Sequence, residues 1–142
     1  MEALLRASFA IYAWARERGA NFSANTVIEH PASIDEFRTL SRLYFPELQD
    51  ETDQISILFS NCIQKFGDIR GQLLLLDRED AIARSVMNID AIASIKGLRS
   101  GYLISQAQPV ANLIGDVGIA THKLGDRAQI IMGQLITAPS NN

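Results

Sequence analysis

The chain of 142 residues is 47% hydrophobic and 20% charged. This length corresponds to one domain, and the apolar content excludes extended disorder because the chain can bury a core. Thirteen Lys and Arg against sixteen Asp and Glu give a net charge of -3. These charges are spread along the chain, which argues against the basic face of a nucleic-acid-binding protein. We therefore predict a single domain over residues 1–142 with no nucleic-acid partner.

The start of the chain and its cysteine content indicate a compartment. Cys62 is the only cysteine, so no disulfide can form within the chain. The N-terminus lacks the apolar core and small-residue cleavage site of a secretory signal. Its longest stretch without charged or amide residues runs from Ala7 to Ala15, about half of the ~20 residues that a membrane-spanning helix needs. We therefore expect a cytoplasmic protein.

The first predicted helix runs from Glu2 to about Arg18 and ends at Gly19, with basic residues in its last turn. An irregular connection from Ala20 to Ala32 follows. It contains the pair His30-Pro31, and proline disfavours a helical residue before it.

Ser33 and Glu36 have the spacing of a capping box, which predicts a short second helix as far as Tyr44. Pro46 then suits the first turn of a third helix, because its missing N–H would be unpaired there. The apolar residues of the third helix recur at steps of three and four, which predicts a core-facing stripe. They are Ile55, Leu58, Phe59, Cys62, Ile63, Phe66, Ile69 and Leu73.

The segment Asp77–Asp80 is typical of a turn with Asp77 as an N-cap, so a fourth helix is predicted from Arg78 to about Ser105. This helix is apolar on two faces and should contact two neighbours. One face carries Ile82, Val86, Ile89 and Ala93, and the other carries Ile92, Ile95 and Tyr102.

The segment Gln106–Pro109 predicts a further break, after which a fifth helix runs from Pro109 to about Thr137. The last five residues, Ala138–Asn142, are predicted to be a frayed tail. No stretch alternates with a period of two, so no sheet is expected. The fold class is therefore all-α: an antiparallel four-helix bundle with one short extra helix between the first and second long helices.

Glycines recur along both of the last two predicted helices. If the chain folds back near Pro109, Gly101 lies opposite Gly115, and Gly97 lies near Gly118. Because glycine inside a helix costs about 1 kcal/mol relative to alanine, these positions predict a close approach of two backbones. The alternative is a groove that binds a small molecule at this glycine ridge. The residues at its edge would be His122, Tyr102 and Ser94.

Few residues are candidates for metal binding or catalysis. Asp90, His122 and Asp126 could converge on a metal ion in the predicted hairpin. However, His122 and Asp126 also have the spacing of an ordinary i,i+4 pair on a helix surface, which requires no metal. Neither His30 nor His122 follows a Glu by three residues, as di-metal bundles require. Cys62 lies among apolar residues and is interpreted as a core thiol. We expect no catalytic residue, no metal and no cofactor.

The first helix carries the aromatic residues Phe9, Tyr12 and Trp14 within six positions, and they cannot all face one side at 100° per residue. Such a cluster indicates an interaction face for a protein partner or a second copy. The alternative is the end of a membrane anchor whose upstream part is absent, or a peripheral membrane contact.

Together, these patterns predict a non-enzymatic helical-bundle module that binds a protein partner or forms a homodimer or larger homo-oligomer. Two alternatives remain. One is a small-molecule sensor that binds near the glycine ridge, and the other is the soluble cytoplasmic domain of a membrane-anchored protein.

Overall fold

The computed structural model describes residues 1–20, 28 and 31–137. Within these residues the chain forms four α-helices and no strand, and the helices pack against one another, so the predicted all-α bundle is confirmed. The elements are α1 (Glu2–Ala20), α2 (Ala32–Tyr44), a 3₁₀ turn (Pro46–Leu48), α3 (Gln49–Ser85) and α4 (Ile89–Thr137).

The two longest helices form one antiparallel hairpin. The 37 residues of α3 and the 49 residues of α4 correspond to about 55 and 74 Å of helix. Met87 turns the chain in the left-handed region, at φ 53°, where glycine is the usual residue. The N–H of Asn88 donates to the carbonyl of Ala83 at 2.9 Å. The side-chain oxygen of Asn88 accepts from the N–H of Ala91 at 3.1 Å, so Asn88 caps α4.

The turn predicted at Asp77 is wrong, because α3 continues through it to Ser85. Asp77 instead forms an ion pair with Arg99 across the hairpin. Asp80 accepts from Arg84 at 2.7 Å, one turn further along α3. These acids are surface charges of a continuous helix, where i,i+4 pairs of opposite charge are favourable.

The break predicted before Pro109 is also wrong, because Pro109 lies inside α4. Gly101 and Gly115 are therefore 14 residues apart in a single helix, about 21 Å along its axis. They do not face each other, and the predicted hairpin between them does not form.

The capping box at Ser33 does not start α2. That helix begins at Ala32, with Pro31 at the cap position and no side-chain capping bond. The predicted connection from Ala20 to Ala32 and the tail from Ala138 to Asn142 lie mostly or wholly outside the described residues.

The main core lies where α1 and α2 pack on the hairpin. Helix α1 is antiparallel to α4, since Gly19 adjoins Val110 and Ile114 while Gly118 adjoins Tyr12. The largest side chains that are fully buried come from α1, α2, the 3₁₀ turn, α3 and α4. They are Leu4, Ile11, Ile34, Phe37, Leu48, Ile55, Phe59, Phe66, Ile69, Leu73, Val117 and Leu124.

The far end of the hairpin extends past this core. Helix α1 ends beside Val110 and Ile114 of α4, and α3 contributes to the main core as far as Leu73. We call residues 74–101 the arm. Its buried apolar residues form a separate, small cluster from α3 and α4 alone: Leu76, Ala83 and Ile95.

Cys62 should make the stability of the protein fall above pH 9. The side chain is fully buried, and burial, followed by the negative charge of Asp116, raises the pKa of its thiol from 9.0 to about 11. Between these values the unfolded chain loses the thiol proton and the folded chain keeps it. The free energy of unfolding should therefore drop by about 1.4 kcal/mol per pH unit from this group.

Urea unfolding of the wild type and of Cys62→Ala, measured in a reducing buffer from pH 8 to pH 11, tests this expectation. Other groups also titrate in this range, so the relevant quantity is the difference between the two proteins. The stability of Cys62→Ala should decline less steeply. Parallel curves would show that Cys62 does not keep its proton in the folded state.

Candidate functional site

The arm exposes more large apolar side chains than it buries. Seven of its aliphatic side chains are between 45% and 80% exposed, whereas its own cluster contains three buried residues. Exposed single residues of this kind are ordinary, and a contact surface is indicated only where several of them share a face. At 100° per residue, Leu75, Ile82 and the C-cap residue Val86 lie on one face of α3. The seven are Leu74, Leu75, Ile82, Val86, Met87, Ile89 and Leu98.

The apolar residues at the tip of the arm surround the turn. Val86 is 68% exposed, Met87 is 80% exposed and Ile89 is 74% exposed. A left-handed backbone at a non-glycine residue such as Met87 costs about 1 kcal/mol or more. The tip therefore combines a strained turn with apolar side chains that are largely exposed to water.

A groove of about 650 Å³ lies between α3 and α4, where the arm joins the bundle. It brings together four residues singled out in the sequence: Ser94, Gly97, Gly101 and Tyr102. Its other lining residues are Gln72, Leu76, Leu98 and Ser105. Burial, followed by the negative charge of Asp68, raises the pKa of Tyr102.

The glycines of this groove form an open stripe. A Cβ atom added to Gly97 or Gly101 would meet no neighbouring atom within 4 Å. Among the described residues, therefore, nothing packs closely against these two glycines. Their missing side chains leave room for another helix to approach α4 closely.

The other two glycines of the predicted ridge lie in the bundle, and only one is tightly packed. A Cβ atom on Gly118 would lie 2.9 Å from Cε2 of Tyr12, so this glycine admits α1 rather than another glycine. Gly115 has open space around it.

His122 does not belong to the groove. It lies 20 residues beyond Tyr102 in α4, about 30 Å along the helix. Its Nε2 lies 3.4 Å from Oδ2 of Asp126, and both side chains are mostly exposed. Asp90 lies 32 residues before His122 in the same helix, so the three do not converge. No group of three potential metal ligands occurs in the part of the chain that the structure describes.

The predicted aromatic interaction face does not form a single open surface. Phe9 is 62% exposed, but Tyr12 packs beside Gly118. Trp14 lies against two core rings, with centroid distances of 5.4 Å to Phe59 and 6.1 Å to Phe66. Two of the three aromatic residues thus contribute to the fold.

The arm carries equal numbers of charges of each sign. Its four basic side chains balance its four acidic ones, so the arm is neutral within a chain of net charge -3. A second neutral arm would therefore meet no net repulsion. The basic residues are Arg78, Arg84, Lys96 and Arg99, and the acidic residues are Asp77, Glu79, Asp80 and Asp90.

The comparisons with known proteins found no matching family model, no matching curated protein and no matching solved structure. Among the described helices, none is both long enough and apolar enough to cross a membrane.

Proposed function

We propose that this protein is a non-enzymatic helical-bundle module that self-associates through its arm. The observation that carries the proposal is the imbalance between seven exposed large apolar residues and three buried ones in residues 74–101. A standard interface buries about 800 Å² on each partner, and the exposed side chains of Leu75, Ile82 and Val86 offer one shared face of α3 to it.

A second copy of the chain is the partner that fits the arm. Pairing two two-helix arms gives a four-helix bundle, which buries apolar surface that a single hairpin leaves in water. A twofold interface must be self-complementary, and a neutral arm with both charge signs meets that condition. The open stripe at Gly97 and Gly101 allows close contact between the two copies.

The test is Leu98→Glu, measured by sedimentation velocity over a range of protein concentrations. Leu98 is 58% exposed in the arm, so a buried, unpaired glutamate would oppose association while leaving the monomer folded. We expect dimerisation at least tenfold weaker. The matched control is Leu43→Glu, because Leu43 is 67% exposed in α2, outside the arm.

Gly101→Leu separates association from folding. Because Gly101 has no neighbour within 4 Å, leucine should leave the monomer unchanged or stabilise it by up to ~1 kcal/mol through helix propensity. In the dimer, the added side chain would occupy the stripe and weaken pairing. A monomeric wild type at high concentration, or equal effects of the Leu98 and Leu43 variants, would contradict the proposal.

We also propose a cytoplasmic location. This inference is supported by Cys62, which is a free and buried thiol, a state that suits a reducing compartment.

A further inference from the structure

A second concave surface lies where the C-terminal end of α1 meets the hairpin. A cleft of about 600 Å³ opens between the C-terminal half of α1, the middle of α3 and the middle of α4. This volume is within the usual range of small-molecule sites. The cleft lies outside the arm, and it includes Tyr12 and Gly115 among the residues that the sequence singles out.

The walls of the cleft are mainly apolar. Ile69 of α3 and Leu103, Val110 and Ile114 of α4 provide large aliphatic side chains. Small residues of α1 and α4 keep the space between them open. An apolar chain would be removed from water on several sides in such a site.

Two polar groups of the cleft, the guanidinium of Arg16 and the side-chain oxygen of Gln106, have no ion-pair or hydrogen-bond partner among the described residues. Arg16 forms no ion pair within the described part of the chain, and its guanidinium lies 5.6 Å from the ring centre of Tyr12. The side-chain oxygen Oε1 of Gln106 is buried and accepts no hydrogen bond from the described residues. A buried acceptor without a donor is unfavourable, so a bound donor would stabilise it.

We propose that this cleft binds an amphiphilic carboxylate of medium chain length that carries a hydroxyl group near its head. The aliphatic chain contacts Ile69, Leu103 and Ile114, and the carboxylate pairs with Arg16. The hydroxyl group donates to Oε1 of Gln106. Charge-assisted hydrogen bonds from arginine to a carboxylate are among the stronger polar contacts in proteins.

The experiment uses decanoate, decan-1-ol and 3-hydroxydecanoate, titrated into the full chain by calorimetry below their micelle-forming concentrations. Decanoate should bind about tenfold more tightly than decan-1-ol, and 3-hydroxydecanoate several-fold more tightly than decanoate. Arg16→Gln should remove the preference for the acid over the alcohol. Gln106→Leu should remove only the preference for the hydroxylated acid.

Two further variants provide controls. Arg6→Gln changes an arginine of the same helix that already pairs with Glu2 at 3.3 Å, and it should leave all three affinities unchanged. Ala111→Trp should fill the cleft and abolish binding of every probe while the helical circular dichroism is kept. Equal affinities for decanoate and decan-1-ol, no binding of either, or an Arg16→Gln protein that behaves like the wild type would overturn the proposal.

Discussion

Replacing Trp14 with alanine is expected to lower the free energy of unfolding by about 3 kcal/mol or more. Its ring contacts Phe59 and Phe66 of α3, and both phenylalanines are fully buried. The guanidinium of Arg18 lies 5.7 Å from the Trp14 ring centre. Truncation of a large aromatic residue in such a site loses both transferred apolar area and packing, for which 3–5 kcal/mol is typical.

Phe9→Ala is the matched control for this prediction. Phe9 belongs to the same helix but is 62% exposed, so its truncation should change stability by no more than about 0.5 kcal/mol. Urea unfolding followed by circular dichroism measures both variants. If Trp14→Ala unfolds at the wild-type midpoint, the contact with α3 is not part of the core and the ring is free for a partner.

Some of this architecture follows from the sequence because the responsible signal is local and repeated. The stripe Ile55, Phe59, Cys62 and Phe66 is buried as predicted, since its three- and four-residue steps place these side chains on one face of α3. The first helix, which the sequence predicts from Glu2 to about Arg18, extends from Glu2 to Ala20.

The position of the hairpin turn could not be obtained by the same reasoning. Asp77 and Asn88 are both good N-cap residues with acids nearby, and the capping rule does not choose between them. The contacts made by Leu76, Ala83 and Ile95 decide it, because they keep α3 helical past Asp77. The turn also places Met87 in the left-handed region, where glycine is the usual residue. The sequence therefore lacks the glycine that normally marks the end of a helix.

The candidate sites are likewise predictable only where they do not depend on the position of a turn. Ser94 and Tyr102 do lie in one groove with Gly97 and Gly101, because their spacing within one helix is independent of any turn. His122 lies outside this groove, because the prediction that places it there needs the chain to reverse direction near Pro109. No local pattern points to Arg16 and Gln106, because their shared place in the cleft depends on how α1 packs against α4.

Pro109→Ala is expected to raise the free energy of unfolding, by as much as ~3 kcal/mol. Pro109 lies in the interior of α4, where proline lacks the N–H that would bond to the carbonyl of Ser105 and its ring crowds that carbonyl. The helix remains continuous because residues on both sides, such as Tyr102 and Val117, pack on the same core. Alanine keeps these contacts and restores the missing backbone hydrogen bond.

Pro46→Ala supplies the control, because Pro46 lies at the start of the 3₁₀ turn, where proline is compatible with the backbone. Losing it should leave the stability unchanged or lower it by up to ~1 kcal/mol through the entropy of the unfolded chain. The urea midpoint of Pro109→Ala should therefore rise, whereas that of Pro46→Ala should stay unchanged or fall. If Pro109→Ala instead lowers the midpoint as Pro46→Ala does, Pro109 begins a helix rather than interrupting one.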